Sequence, residues 1–338
     1  MNKKLLGGDG LYFVVEEGQA NLGDIKKAFS MIEAASGTGA DAIEFQLARA
    51  GDLYVRKASG YDIYRKREFT NPQLKELVAY AADKDLDFIA VPLSHTLIEP
   101  LANYGCSSFT INASDLTNPD MIDAVIDSGL PFSLCLPLAT EKEIDWAIDR
   151  IRRKNAGNYV LLHGQHTMAS GEEGVAIEHT SLGYIELLKE KYKRPTGFID
   201  HTSMAWMPAV AVAAGADVIS KHLALSRKEK GPDWQVCLEP REMKDAVAWA
   251  KMAWKSIQAK AKDLAPGENI DRAKMRRSIV ASNTISAGKV LERKDICFKR
   301  PGTGLDPSEY ETVIGKAALR EIKADDQIRL NDLKEVTI

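Results

Sequence analysis

This sequence has no closely spaced cysteine pair, no long apolar run and no basic excess, and each absence removes a class of function. The four cysteines, Cys106, Cys135, Cys237 and Cys297, stand far apart, so no CxxC redox or zinc motif is available. In a chain of this size they read as reduced, mostly buried thiols of a cytoplasmic protein. No stretch approaches the roughly 18 uncharged apolar residues that a membrane-spanning helix needs. Met1–Asp9 contains lysines but no apolar segment of signal-peptide length after them. The net charge of −3 gives no clustered basic surface for nucleic acid. The expectation is therefore no membrane and no nucleic-acid partner. The glycine-rich dinucleotide fingerprint follows none of the candidate strands, which disfavours an open nucleotide-binding sheet. Solenoid repeats and low-complexity tracts are missing too.

What remains is an ordinary globular balance, 45% hydrophobic and 28% charged over 338 residues, enough for one large domain and one small one. Short runs rich in Val, Ile and Phe alternate with helical patterns. Eight strand candidates emerge: Leu11–Glu17, Ala42–Leu47, Phe88–Leu93, Ser108–Ala113, Pro131–Leu138, Tyr159–Gly164, Thr196–His201 and Asp217–Leu223. Helical patterns between them include Leu22–Ser36, Asn71–Lys84, Thr96–Tyr104, Asn118–Ser128, Glu141–Asn155 and Met207–Ala214, with another near Glu239–Lys262. Eight such units over about 250 residues predict a (β/α)₈ TIM barrel. The barrel is expected over residues 1–264. Ala265-Pro266-Gly267-Glu268-Asn269 opens a turn-rich linker over 265–276. Residues 277–338 carry short alternating pieces that predict a small β-rich domain with little core of its own.

In such a barrel the reacting groups sit at the C-terminal ends of the strands, where the loops build one shared rim. That rule selects Asp200-His201-Thr202 at the seventh strand and Ser220-Lys221-His222 at the eighth. Neighbouring strands bring the two imidazoles to one rim, where a divalent cation can share them. The bland alternative is two unrelated histidines. Other strand ends offer Glu16, Glu17, Glu44, Gln46, Asp115 and the His163-Gly164-Gln165-His166 string. Asp115-Leu116-Thr117-Asn118 reads equally well as a loop anchor or helix cap. His163, inside an apolar strand, reads as a satisfied structural histidine, and Cys135 as core.

Specific strings then accumulate in order. Asp200-His201-Thr202, Ala213-Ala214-Gly215-Ala216-Asp217 running into Lys221-His222, and Gly231-Pro232-Asp233 resemble the sialic acid synthase family, as do Val15-Glu16-Glu17-Gly18 and Phe45-Gln46 upstream. Arg276-Arg277-Ser278 and Lys299-Arg300-Pro301-Gly302-Thr303-Gly304 resemble its C-terminal antifreeze-like (SAF) domain. The resemblance implies condensation of phosphoenolpyruvate with the open-chain aldehyde of an N-acetylated amino sugar. It implies a Mn²⁺ or Mg²⁺ ion on His201 and His222, acting as a Lewis acid on the aldehyde oxygen. It implies catalytic roles for Glu16 and Asp115, and substrate contacts from Gln46, Asp233, His166 and Arg300. Arg300 would reach over from the partner of a domain-swapped homodimer.

The departures lie on the donor side. The family places a lysine on the second strand, hydroxyls after the third and fifth, a lysine and serine around the fourth, and an asparagine after the sixth. Here those positions hold Glu44, Val91, Thr110, Ala113, Cys135-Leu136-Pro137 and His166. A phosphate needs charge-assisted donors, and a carboxylate beside it is repulsive. Two alternatives therefore stand beside the synthase reading. One is an enzyme that keeps the metal and sugar side but takes a non-phosphorylated donor, or runs a retro-aldol or isomerase reaction. The other is a sugar-acid-binding protein without turnover.

Overall fold

A computed structural model of the chain describes residues 10–167, 174–258 and 262–336. The chain divides into two compact units, Met1–Gln258 and Ala259–Ile338.

In the first unit eight parallel strands close into a barrel, each hydrogen-bonded to the next and β8 to β1. They are β1 (Tyr12–Glu16), β2 (Ala42–Leu47), β3 (Asp87–Pro92), β4 (Ser108–Ile111), β5 (Phe132–Cys135), β6 (Tyr159–His163), β7 (Thr196–Asp200) and β8 (Val218–His222). Helices α1 (Ile25–Ser36), α4 (Asn71–Asp83), α5 (Ile98–Tyr104), α6 (Pro119–Asp127), α7 (Glu141–Arg153), α8 (Tyr184–Tyr192), α9 (Met207–Ala213) and α10 (Pro240–Ser256) alternate with them, and α2 (Ala50–Leu53) and α3 (Ser59–Lys66) follow β2. The TIM barrel expected from the sequence is the observed fold.

Capping chemistry sets several helix starts. The Asp24 carboxylate accepts from the N–H groups of Lys26 and Lys27, Asn118 caps α6, and Thr70 with Gln73 forms a reciprocal capping box on α4. Strand residues are buried on both faces, as a parallel sheet wrapped in helices requires. The two-residue period then decides which side chains point inward. Tyr12 and Val14 belong with Ala42, Ile89, Cys135, Val160, Leu162, Ile199 and Val218 to one buried cluster. Their neighbours Phe13, Val15, Ile43 and Phe45 belong to the larger cluster shared with the helices. Continuing the inward parity to the strand ends gives Glu16, Glu44, Gln46, His201 and His222. The register pairs Glu16 with Glu44 on one side and with His222 on the other.

Three details differ from the sequence expectation. The long connection after β2 holds α2 and α3, which short, weakly periodic segments concealed. The stretch read as a turn-rich linker contains α11 (Glu268–Met275). The second unit also has a substantial core of its own: Ile279, Ile285, Leu291, Val313, Ile322 and Ile328 are all buried. Several of these lie in loops, outside the strand pairs β9 (Ser278–Ala281) with β10 (Ile296–Lys299) and β11 (Ala317–Ala318) with β12 (Leu333–Lys334), so alternation could not reveal them.

Met1–Asp9 and residues 259–261, the latter within the helix expected to reach Lys262, lie outside the described residues. Among the described residues no helix is long and apolar enough to cross a membrane, and the four cysteines are unpaired.

Candidate active site

A cavity of about 580 Å³ opens at the C-terminal ends of the strands. Glu16, Gln46, His166, His201, His222 and Asp233 all line it, so six of the sequence-selected residues meet in one place. The rings of His201 and His222 stand 5.1 Å apart, centroid to centroid, and His166 meets His201 at 4.8 Å. His222 Nδ1 lies 3.3 Å from Glu16 Oε2. That contact satisfies the distance of an ion pair but not the angles of a hydrogen bond, and both atoms are buried without a hydrogen-bond partner. His201 Nδ1 is likewise buried and unpartnered. Gly18, with φ +55°, makes room here, since a Cβ on it would sit 3.2 Å from His222 Nδ1.

Burial controls the charge of this cluster. It holds His201 well below the usual imidazole range and lowers His222 as well, so both rings are neutral and able to donate lone pairs. Desolvation pushes the Glu16 carboxyl up to about 7, although Gln46 Nε2 donates to it at 2.7 Å. Glu44 is pushed up to about 8, mainly by burial and then by Glu16, with Thr110 Oγ1 donating to it.

Glu44, Val91, Thr110, Ala113, Cys135 and Pro137, which the resemblance assigns to the donor side, line the same cavity, as does Leu138. Burial holds the Cys135 thiol well above its ordinary range, which disfavours the thiolate.

Asp115 is not part of the cavity lining. It accepts from Ser114 Oγ at 3.0 Å and Asn118 Nδ2 at 2.8 Å, which braces the cap of α6, the anchoring alternative. Arg300 belongs to the second unit, where it is exposed. His163 is the buried structural histidine expected: its Nε2 lies 3.1 Å from the carbonyls of both Thr180 and Ser181.

Sequence reasoning missed Gln19, Tyr54, Tyr64 and Arg67, which also line the cavity. The available signal was a connection of more than 20 residues between β2 and α4, rich in Tyr and Arg. A connection of that length with no element legible in its sequence is usually either functional or a linker.

Residues 31–262 match the NeuB family, and residues 276–334 match the SAF domain. The chain belongs to the NeuB family. An uncharacterised protein of Methanocaldococcus jannaschii is 30% identical to this NeuB-family chain, over 96% of it and 95% of the relative. The N,N'-diacetyllegionaminic acid synthase of Campylobacter jejuni is 27% identical over 94% and 98%. Among solved structures, the N-acetylneuraminic acid synthetase of Leptospira borgpetersenii, in complex with citrate, superposes with a TM-score of 0.72 at 26% identity. That match covers 78% of this chain and 90% of the other. The NeuB-family barrel with its SAF unit is thus a nonulosonic acid synthase-like enzyme.

Beside the cavity, Glu17 is fully buried and pushed up from 4.5 to about 7 by desolvation, against hydrogen bonds from Asn21. The folded chain therefore keeps this carboxyl protonated in a range where the unfolded chain has released the proton. Its contribution to stability is full below 4.5 and lost as pH rises through about 7. The loss is at most about 3 kcal/mol. A Glu17→Gln variant should therefore gain on the wild type between pH 5 and pH 8, read from urea midpoints at both. A stability difference that is the same at both values would contradict this.

Proposed function

We propose that this enzyme joins a three-carbon donor to the open-chain aldehyde of an N-acetylated amino sugar, with the help of a divalent cation. The observation that carries the reading is the convergence of His201 and His222 with Glu16, Gln46, His166 and Asp233 in one cavity.

Among the described residues no three His, Cys, Asp or Glu side chains converge as a metal cage. The histidine pair fits a more open arrangement, in which substrate and water complete the coordination. Its support is two buried imidazoles, each with an unpartnered ring nitrogen. Mn²⁺ or Mg²⁺ would supply Lewis acidity toward the aldehyde oxygen. The chain's own residues do the rest. Glu16, oriented by Gln46, and Asp233 receive sugar hydroxyls, His166 contacts substrate, and the apolar residues of the donor side exclude water. With a carboxyl pushed up to about 7, Glu16 can exchange a proton with a sugar hydroxyl at neutral pH. A homodimer in which the partner's SAF unit presents its Arg300 to the acylamino group, and a place in the cytoplasm, belong to the same proposal and rest on resemblance.

Phosphoenolpyruvate is the donor that the resemblance supplies. A second reading, a donor without phosphate, is favoured by Glu44 and the apolar residues at the donor-side positions. Phosphate release with Mn²⁺ and N-acetylmannosamine or a related amino sugar separates the two. Release from phosphoenolpyruvate supports the first. No release with any acceptor, alongside product from pyruvate, supports the second.

A further inference from the structure

Arg67 is the one arginine or lysine among the described residues that line the cavity. It caps the C-terminal end of α3, in the connection after β2, and a set of specific contacts seats it. Its Nη1 donates to Gln19 Oε1 at 2.7 Å, and its guanidinium lies 5.7 Å from the centre of the Tyr64 ring. Gln19 Nε2 in turn donates to Tyr64 Oη at 3.1 Å and to Gln46 Oε1 at 3.2 Å. Gln46 donates to Glu16, which stands against His222. One polar chain thus runs from Arg67 to the histidine pair.

The backbone is shaped for this placement. Gly23, at φ +86°, packs so closely that a Cβ would sit 2.5 Å from Lys66 O and 2.7 Å from Arg67 Cα. Gln19 holds a left-handed φ of 57°, a conformation that costs a non-glycine residue free energy and that clusters at functional sites. The loop after β1 and the end of α3 are therefore closely packed at Gly23, where a side chain would clash. A guanidinium offers five N–H donors in a planar fork matched to oxyanions, and Gln19 engages one of its nitrogens.

The geometry points to Arg67 as the oxyanion-recognition residue of this cavity, taking the carboxylate or phosphate of a substrate in a pocket that offers no other lysine or arginine among the described residues. This inference rests on the reading of the cavity as the substrate site. It moves the anion from the barrel interior to the loops after β1 and β2, beside Tyr64.

The test is binding to the full-length, metal-free protein, so that no cation supplies the anion site. Inorganic phosphate and pyruvate serve as anionic probes and N-acetylmannosamine as the neutral one, followed by calorimetry or ligand-observed NMR. Both anions, or the one whose chemistry matches the substrate, should bind the wild type. Arg67→Gln should weaken that binding about tenfold or more and leave the neutral sugar within about threefold, while Arg67→Lys retains part of the affinity as a point charge. Whether phosphate or pyruvate binds more tightly distinguishes the two anion sources. The inference is overturned if neither anion binds the wild type, or if Arg67→Gln leaves anion affinity unchanged. It is also overturned if sugar and anion affinities fall equally, since Arg67 then only props Gln19. Arg67-dependent anion binding without any carbon–carbon bond formation would sink the functional reading and leave this one standing.

Discussion

A Lys221→Ala variant will unfold more readily than the wild-type chain by about 3–5 kcal/mol. Lys221 lies on β8 with its side chain wholly buried, and its Nζ sits 2.9 Å from Asp200 Oδ2 at the end of β7, also wholly buried. The contact has the distance of an ion pair without hydrogen-bond alignment, for Asp200 Oδ2 has no hydrogen-bond partner. The ammonium instead donates to the carbonyl of Thr202, while Asp200 Oδ1 accepts from the Thr202 N–H at 2.8 Å. Truncating the lysine strands a buried carboxylate, and that uncompensated charge sets the size of the loss. Replacing the whole pair, as Lys221→Met with Asp200→Asn, removes the charge along with its partner and should cost much less. Urea midpoints at unchanged slope measure both; equal losses for the single and the double variant would contradict the argument. Each member of the pair immediately precedes one of the two cavity histidines, so the clamp also fixes where those histidines stand.

The second large effect concerns those histidines. His201→Ala and His222→Ala should each weaken Mn²⁺ binding by at least about 100-fold. Either change removes half of the nitrogen donors on offer, whereas losing a mere supporting contact around a metal already costs about 10- to 100-fold. Both rings are buried and held neutral, as metal ligation requires. His163→Ala is the informative control. It too removes a buried strand-end histidine, but one whose Nε2 faces the Thr180 and Ser181 carbonyls. It should lower stability and leave metal content alone. Unchanged Mn²⁺ in both cavity variants would remove the metal from the proposal.

The barrel was legible in the sequence because parallel strands buried on both faces leave near-continuous apolar runs, and because helical patterns alternate with them, although the Asp24 cap that starts α1 at Ile25 was read as part of the helix. The strand-end rule brought the histidine pair to one rim from the sequence alone, and the inward parity that joins Val14 to Glu16 and Ser220 to His222 comes from the strand register. The network from Arg67 through Gln19 was not. It depends on a backbone approach at Gly23 and on two short helices with too few turns to show a period. Asp115 was ambiguous for a different reason: a carboxylate beside a helix start serves a cap or a substrate equally well, and in the structure it accepts from Ser114 and Asn118. The core of the second unit escaped because residues such as Ile285 and Val313 are isolated apolar positions in loops.

The central claim is that this cavity forms a carbon–carbon bond at a sugar aldehyde with a metal's help. The most direct measurement follows ¹³C-labelled phosphoenolpyruvate or pyruvate by NMR, with N-acetylated amino sugars and the wild-type protein. The account predicts a new bond between the donor's methylene or methyl carbon and the aldehyde carbon, formed with Mn²⁺ or Mg²⁺ and abolished by a chelator. No such bond with either donor across the panel of amino sugars, from protein that still binds Mn²⁺, would contradict it.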